Sequence, residues 1–301
     1  MAARDAAQPA VDVVVVSYNS SDELRGCVEP LAGGSGFRVF VVDNASTDGS
    51  LDTLGELQVE AIALEENVGF GRGCNAGWKR GAAPYVLFLN PDARIDLGSV
   101  GRLARLLEEQ PGAGAAAPRI VHADGSLDFS LRRFPRLRST YARALFLHRV
   151  FPGAAWTDEL VRDPAAYRKQ GSPEWASGAC LLVRRAVLEQ LDGFDPGFFM
   201  YCEDVDLCRR LWDAGHELLY EPDATVSHLG GASAPRASLL PVLAASRLRY
   251  AAKHMGPAAA LVERAGIALE ALTHVVVSGG GRAARAGHAR ALRLALTRPA
   301  R

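Results

Sequence analysis

Five of the seven residues from Val11 to Ser17 (VDVVVVS) are valine, and the run shows no alternation with polar residues. β-branched side chains that project to both sides of a strand must be covered on both sides. The segment therefore predicts a strand inside a parallel sheet with helices above and below. Short apolar runs recur at Phe37 to Val42, Val59 to Leu64 and Tyr85 to Leu89, separated by helical periods at Ser21 to Leu31, Ser50 to Leu57 and Gly71 to Gly81. That alternation predicts an α/β domain. A helix at Val100 to Glu109 and strands at Ala113 to Val121, Gly178 to Arg184 and His216 to Pro222 extend the pattern. The stretch 122–174 is rich in Arg, Pro and aromatic residues, and reads as an irregular insertion over the site.

Ligands of such sheets bind beyond the carboxyl ends of the strands, so the polar residues there are the first candidates. They are Ser17-Tyr18-Asn19, Asp43-Asn44-Ala45-Ser46, Glu65-Glu66-Asn67-Val68-Gly69-Phe70 and Asn90-Pro91-Asp92. Asp43 can accept the imide N–H of a uracil or thymine ring or a ribose hydroxyl; it can equally serve its own turn through Asx hydrogen bonds. Asp92 suits Mg²⁺ or Mn²⁺, hard ions that need few protein ligands when a diphosphate supplies the rest. A plain Asn-Pro-Asp turn is the alternative. His228 stands in a glycine-rich loop where imidazole can meet Mn²⁺ or make an ordinary loop hydrogen bond. Gly193 to Arg210 is an aromatic loop that runs into Glu203, Asp204 and Asp206. Apolar residues at Val205, Cys208, Leu211 and Trp212 put Glu203 and Asp204 at or just before a helix N-terminus, where carboxylates cap the free N–H groups whether or not they do chemistry.

Taken in order, Val14 to Asn19, Val41 to Gly49, Asn67 to Phe70 leading to Asn75-Ala76-Gly77, Leu89 to Asp92, Gly178-Ala179 and Gly193 to Arg210 resemble the family 2 glycosyltransferases of the inverting GT-A fold. The likeness runs from about Val11 to Ser233 and is strongest to the bacterial rhamnosyltransferase branch. It implies a Rossmann-like, mostly parallel central sheet flanked by helices, with a C-terminal helical extension. It further implies transfer of a sugar from a nucleoside diphosphate donor, with dTDP-rhamnose as the expected donor and a polyprenyl-diphosphate-linked sugar as the expected acceptor. Another nucleotide sugar with a different glycan acceptor, and a non-catalytic nucleotide-sugar-binding protein, are the alternatives. Under the resemblance Ser17, Asn19 and Asp43 hold the nucleoside, and Asn67, Gly69 and Asn75 shape the donor pocket. Asn90 and Asp92 face the diphosphate, Asp92 and His228 bind Mn²⁺ or Mg²⁺, and Asp204 is the base with Glu203 as its neighbour and rival. Many relatives carry Asp-x-Asp at the metal site; Asn90 in the first position leaves Asp92 as its single carboxylate.

The chain has 301 residues and no net charge, with 34 basic and 34 acidic side chains, which is enough material for one large domain with an appendage. Residues 1–10 read as a disordered N-terminus, 11–235 as the glycosyltransferase domain and 236–301 as a basic helical extension. The neutral total hides an asymmetry, because residues 236–301 hold eleven Lys or Arg against Glu263 and Glu270, a local net of +9. Such a segment suits an anionic membrane surface. Nucleic acid is a poor fit, since no aromatic residues interleave with the arginines. The end of the chain, Arg282 to Arg301, has six Arg and no acid and is either a solvated, frayed tail or a membrane contact. Charged residues interrupt every long apolar stretch, so a membrane span is not expected. Met1 to Ala10 lack the apolar run of a signal peptide, giving an expected cytoplasmic location, peripheral to the inner face of the membrane. Five cysteines without a Cys-x-x-Cys spacing read as buried free thiols.

Overall fold

The computed structural model describes residues 10–230, 236–277 and 281–297, so the expected disordered N-terminus lies, apart from Ala10, outside the described residues. β1 (Val11–Ser17) leads through α1 (Leu24–Val28) to β2 (Phe37–Asp43), and a 3₁₀ turn at Ser50–Leu54 leads to β3 (Glu60–Ala63). α2 (Phe70–Trp78), β4 (Tyr85–Leu89), β5 (Ala93–Ile95), α3 (Leu97–Glu109) and β6 (Ala113–Val121) follow. The next segment holds β7 (Leu131–Arg132), α4 (Leu137–Ala144), α5 (Leu147–Val150) and a 3₁₀ turn at Pro164–Tyr167. Then come β8 (Trp175–Ala176), β9 (Cys180–Arg184), α6 (Arg185–Leu191), α7 (Glu203–Asp213) and β10 (Glu217–His228). Three helices complete the order: α8 (Arg236–His254), α9 (Pro257–Val277) and α10 (Gly281–Leu296).

Eight strands form one sheet in the order β3-β2-β1-β4-β9-β6-β10-β5. β3, β2, β1 and β4 run parallel. β9 then inserts antiparallel between β4 and β6, while β6 and β10 are parallel to each other. The mostly parallel sheet is thus as expected, and its reversal at β9 is what the apolar runs alone do not encode. The valines of β1 divide between two cores: Val11, Val13 and Val15 pack with Leu24, Cys27 and Leu103, while Val14 and Val16 pack with Cys74, Trp78 and Leu207. Strand alternation sorts them, and α1 and α3 on one side and α2 and α7 on the other exclude water. All five cysteines are buried and free; burial pushes the Cys27 thiol up to about 12.

Asp12 is the one charged residue of β1, and it is fully buried. Its Oδ2 accepts from Arg185 Nη2 at 2.6 Å and from the Ala83 N–H at 2.8 Å, and Arg185 also donates to the Trp78 carbonyl at 3.0 Å. This pair ties β1 to the start of α6 and the end of α2.

The segment 122–174 is more structured than its composition predicts, because its short elements find partners far away in sequence. β7 pairs with β8, and α4 lies along α9, with Thr140 Oγ1 donating to Glu263 at 2.7 Å. In the C-terminal region Arg247 is held by Glu263 at 3.0 Å and Glu270 at 2.6 Å. Small residues let the helices close up: Ala244, Ile267, Ala271, Ala291 and Ala295 form a separate core. The described part of the basic tail is therefore a packed helix, α10, rather than a frayed end. α8 is fastened to α7 through Asp206, which meets Arg210 at 2.8 Å, Lys253 at 2.7 Å and His254 at 2.7 Å.

Removing one partner of a buried pair leaves the other charge uncompensated. Arg185→Met is expected to lower unfolding stability by about 3–5 kcal/mol, read by urea denaturation. A loss below about 1 kcal/mol, the range of an exposed pair, would show that Asp12 is solvated or neutral in the folded protein.

Candidate active site

The first part of the site lies at the parallel ends of β1 and β2, where Ser17 is registered against Asp43. Asp43 serves its own turn with one carboxylate oxygen and keeps the other unpartnered. Its Oδ2 accepts from the Ser46 N–H three residues on at 3.0 Å, while Oδ1 is buried with no protein partner. Ser17 Oγ is likewise buried and unpartnered. Unsatisfied buried polar atoms are costly, and two at one strand end mark a place for a ligand's own donors. Asn19, in a left-handed conformation at φ 50°, locks the two loops together: its N–H donates to Ser46 Oγ at 2.9 Å and its Oδ1 accepts from the Thr47 N–H at 2.9 Å.

The second part follows β4. Asp92 is buried, and its Oδ1 lies 3.2 Å from His228 Nε2 at the end of β10. Asp92 Oδ2 accepts from the Gly230 N–H at 3.1 Å, and Asn90 Nδ2 stands 3.4 Å from the same imidazole nitrogen. Burial pulls the His228 imidazole down, but the hydrogen bond and charge of Asp92 outweigh it and hold the ring above its ordinary value. In return, Asp92 stays below the usual carboxylate range in spite of its burial. The sequence-distant pair Asp92 and His228 is thus brought together as expected. Among the described residues no cluster of three or more His, Cys, Asp or Glu side chains is arranged to hold a metal ion.

The third part is the N-terminus of α7. Cys202 precedes it at φ 63°, and Glu203 and Asp204 open the helix. Asp204 is partly exposed; its Oδ2 accepts from the Gly178 N–H at 3.0 Å and its Oδ1 from the Val205 N–H at 2.8 Å. A side chain at Gly178 would bring a Cβ within 3.1 Å of Asp204 Cβ. Glu203 turns the other way, toward Gly71 and Cys74 of α2, where it is buried with Oε2 unpartnered. Burial raises the Glu203 carboxyl, and the adjacent Asp204 charge raises it further. The crowding of protein around Asp204 raises it as well, opposed by the Gly178 and Val205 N–H groups and by the charge of Arg132. A carboxylate lifted toward neutrality while still held by N–H donors is a stronger proton acceptor than a free one.

Gly178 and Ala179 connect the second and third parts. Gly178 donates to Asp204, and the Ala179 carbonyl accepts from the Asn90 N–H at 2.9 Å. A two-residue step of backbone therefore separates the carboxylate of α7 from the Asn90-Pro91-Asp92 turn.

Other expected residues support the site from behind. Asn67 Oδ1 accepts from Asn44 Nδ2 at 2.9 Å and from the Gly69 N–H at 3.0 Å. Asn75 is occupied by the 193–194 loop: Nδ2 donates to the Phe194 carbonyl at 2.7 Å, and Oδ1 accepts from the Phe194 N–H at 2.9 Å and from Trp78 Nε1 at 3.0 Å. Gly69, at φ 88°, is set where a Cβ would meet the Phe199 carbonyl oxygen, which accepts from the Phe70 N–H at 2.9 Å. Two residues to which the sequence reading gave no role of their own belong here. Asn44 links β2 to the 67–69 turn, with its Oδ1 accepting from the Val68 N–H at 2.9 Å; its position beside Asp43 was the available signal. Arg132 of β7 lies over Trp175 at 5.1 Å with its Nε buried and unpartnered. Nothing local marks it, because it stands among many arginines of the 122–174 stretch.

A mostly parallel sheet with polar groups at the carboxyl ends of its strands and a carboxylate at a facing helix is the GT-A arrangement of nucleotide-sugar glycosyltransferases. Solved structures share the fold. The mannosyltransferase PcManGT from Pyrobaculum calidifontis, in complex with GDP-Man and Mn²⁺, matches with a TM-score of 0.56 over 97% of this chain and 82% of that one, at 18% identity. S. aureus TarS 1–349 in complex with UDP-GlcNAc matches at 0.51 over 95% and 90%, at 16% identity. In sequence, the family described as "Glycosyl transferase family 2" covers residues 12–192, and the chain belongs to that family. The N-acetylglucosaminyl-diphospho-decaprenol L-rhamnosyltransferase of Mycobacterium tuberculosis is 34% identical over 231 residues, 72% of this chain and 75% of that protein. Rhamnosyltransferase WbbL of Escherichia coli K12 is 27% identical over 225 residues, 70% and 80% of the two chains.

Asp204→Asn keeps the shape and removes the candidate proton acceptor, so transfer is expected to fall by about 10²- to 10⁴-fold with donor affinity nearly unchanged. Turnover by a contamination-free variant at the wild-type rate would remove Asp204 from the base role. Glu203→Gln is expected to be milder, and to change the pH dependence of stability. The Glu203 carboxyl is raised on folding, so its contribution is complete below its unfolded value of about 4.3 and is lost as pH rises through the folded value. Melting of wild type against Glu203→Gln across that range should show the wild type losing ground as pH rises.

Proposed function

We propose that the protein is an inverting rhamnosyltransferase that moves L-rhamnose from dTDP-rhamnose to a hydroxyl of a polyprenyl-diphosphate-linked sugar, in assembly of cell-wall or surface polysaccharide. The observation that carries the chemistry is the Gly178-Ala179 link between Asp204 and the Asn90-Pro91-Asp92 turn, which suits an acceptor hydroxyl and a donor diphosphate meeting over one short span. The donor and acceptor assignments are supported by the 34% identity to the mycobacterial enzyme whose name specifies L-rhamnose and a diphospho-decaprenol acceptor.

In a single displacement the acceptor oxygen bonds to the anomeric carbon as the bond from that carbon to the diphosphate oxygen breaks. The hydroxyl proton passes to Asp204, and dTDP leaves with the bonding electron pair. Ser17 Oγ and Asp43 Oδ1, both buried and unpartnered, receive the thymine imide or the ribose hydroxyls. The Arg132 charge, which opposes the rise of the Asp204 carboxyl, supports a role in holding Asp204 ionised.

Asp92 and His228 fit a divalent cation in chemistry, one hard carboxylate oxygen and one imidazole nitrogen 3.2 Å apart. Two protein ligands leave room for diphosphate oxygens and water, as Mg²⁺ and Mn²⁺ prefer. When bound, the ion supplies Lewis-acid stabilisation of the charge on the departing diphosphate. With Asn90 in place of a second carboxylate, the residues themselves hold the metal weakly, and donor and metal bind together.

Thermal-shift and turnover measurements with dTDP-rhamnose, UDP-glucose, UDP-galactose and GDP-mannose, each with and without Mn²⁺, test the reading. Preference for dTDP-rhamnose in the presence of Mn²⁺ is expected, and equal turnover of a UDP or GDP sugar would replace the donor. Asp43→Ala is expected to weaken donor binding by about 10- to 100-fold, the range for a lost charged hydrogen bond.

Asp92→Ala and His228→Ala are each expected to reduce the Mn²⁺-dependent part of donor binding, and EDTA to stop turnover. Protonated His228 cannot ligate, so apparent Mn²⁺ affinity should fall as pH drops through its raised value. Full activity in EDTA would end the metal assignment and leave the base untouched.

A further inference from the structure

The polarity of α9 is inverted. Its acids, Glu263 and Glu270, turn inward to Arg247, and Arg264 folds onto the Ala295 carbonyl at the end of α10, with its Nε at 2.7 Å. The opposite face is apolar: Leu261, Ala265, Leu272 and Val276 are exposed at helical spacing, and Val276 is 73% exposed. A surface helix normally buries its apolar stripe and wets its charges. Here the reverse holds along a helix of 21 residues, about 30 Å long.

The apolar surface continues at both ends of this helix. At the end of α9, Phe146 stacks on His274 at 4.6 Å and Thr273 donates to the Ala144 carbonyl at 2.8 Å. That contact brings up the 145–156 segment, whose Leu145, Val150, Phe151 and Trp156 are all exposed. At the start of α9, the Arg264 contact sets the exposed Leu294 and Leu296 of α10 nearby. Contiguous apolar surface of this extent on a folded protein marks an interaction site.

We infer that α9, with the outer face of α10 and the 145–156 segment, is a docking face for an anionic lipid bilayer. Charge selects the occupant. α10 carries Arg282, Arg285, Arg290 and Arg293, all exposed, with no acid in the helix and no ion pair to any of them among the described residues. Guanidiniums beside an apolar stripe, with Trp and Phe at one end, match headgroup phosphates over acyl chains. A second copy of the chain fits less well. A two-fold contact sets like against like, and neither helix offers an exposed acid to receive the arginines. Among the described residues no helix is long and apolar enough to cross a membrane, so the helix lies in the interface. The inference stands on these elements and not on the identity of donor or acceptor, although a docked enzyme would meet a lipid-linked acceptor directly.

Flotation of the full chain with 70:30 phosphatidylcholine:phosphatidylglycerol vesicles, with pure phosphatidylcholine vesicles, and at low and high salt provides the test. The wild type is expected to float with the anionic vesicles and about tenfold less with neutral ones or in high salt, where surface charge is screened. Leu272→Glu/Val276→Glu alters only exposed positions and is expected to reduce anionic-vesicle binding about tenfold or more, with an unchanged melting temperature. Arg285→Ala/Arg290→Ala/Arg293→Ala is expected to abolish the preference for anionic lipid. Both variants should keep wild-type transfer to a short water-soluble acceptor without vesicles, so that loss of docking is distinguished from loss of chemistry. Wild-type flotation by both variants, or no flotation of the wild type, would overturn the inference. So would a lipid-free dimer that Leu272→Glu/Val276→Glu converts to monomer, because the face would then belong to a second copy.

Discussion

The burial of β1 on both faces is the constraint from which the rest of the molecule follows. Val11, Val13 and Val15 need one cover and Val14 and Val16 another, so helices must lie on both sides of the sheet and the strands must be joined by crossovers. With both faces sealed, polar chemistry has room only where the strands end. Ser17, Asp43 and the Asn90-Pro91-Asp92 turn are there for that reason. The Asp12 and Arg185 pair within the same layer is consistent with it: the one charge of β1 is admitted only with a guanidinium and a backbone N–H around it.

The reversal at β9 brings two parts of the candidate site side by side. A strand antiparallel to β4 starts where β4 ends, Cys180 registering against Leu89. The residues just before it, Gly178 and Ala179, therefore lie beside the turn that follows β4. Asp204 reaches the same place from α7, and its neighbour Glu203, one helical position away, points into the core. Two adjacent carboxylates thus meet different surroundings: one is partly exposed and held by two N–H donors, the other is buried with its Oε2 unpartnered. Low-dielectric burial and mutual repulsion favour keeping the proton on the more deeply buried Glu203.

The C-terminal helices attach to this site through α7, by way of Asp206 with Lys253 and His254. The contact is made through Asp206, so the helix that opens at Glu203 is braced by the same helices that carry the inverted apolar face.

The sequence by itself determined the sheet, the strand-end motifs and the helix that opens at Glu203, since these depend on side-chain period and on residues within a few positions of one another. The same local information placed Asp43 and Asp92 at strand ends. Tertiary structure alone decided what each polar atom meets. Asn75, read as a donor-pocket residue, is occupied by Phe194 and Trp78, because the loop that claims it is more than a hundred residues away. Arg132 could not be told from its many arginine neighbours until β7 paired with β8. The end of the basic helical extension read as either a solvated, frayed tail or a membrane contact, because charge dominates its composition; its described part packs as α10 because Gly287, Ala291 and Ala295 are buried there. Which face of α9 looks outward is a tertiary matter too, set by Glu263 and Glu270 turning inward to Arg247.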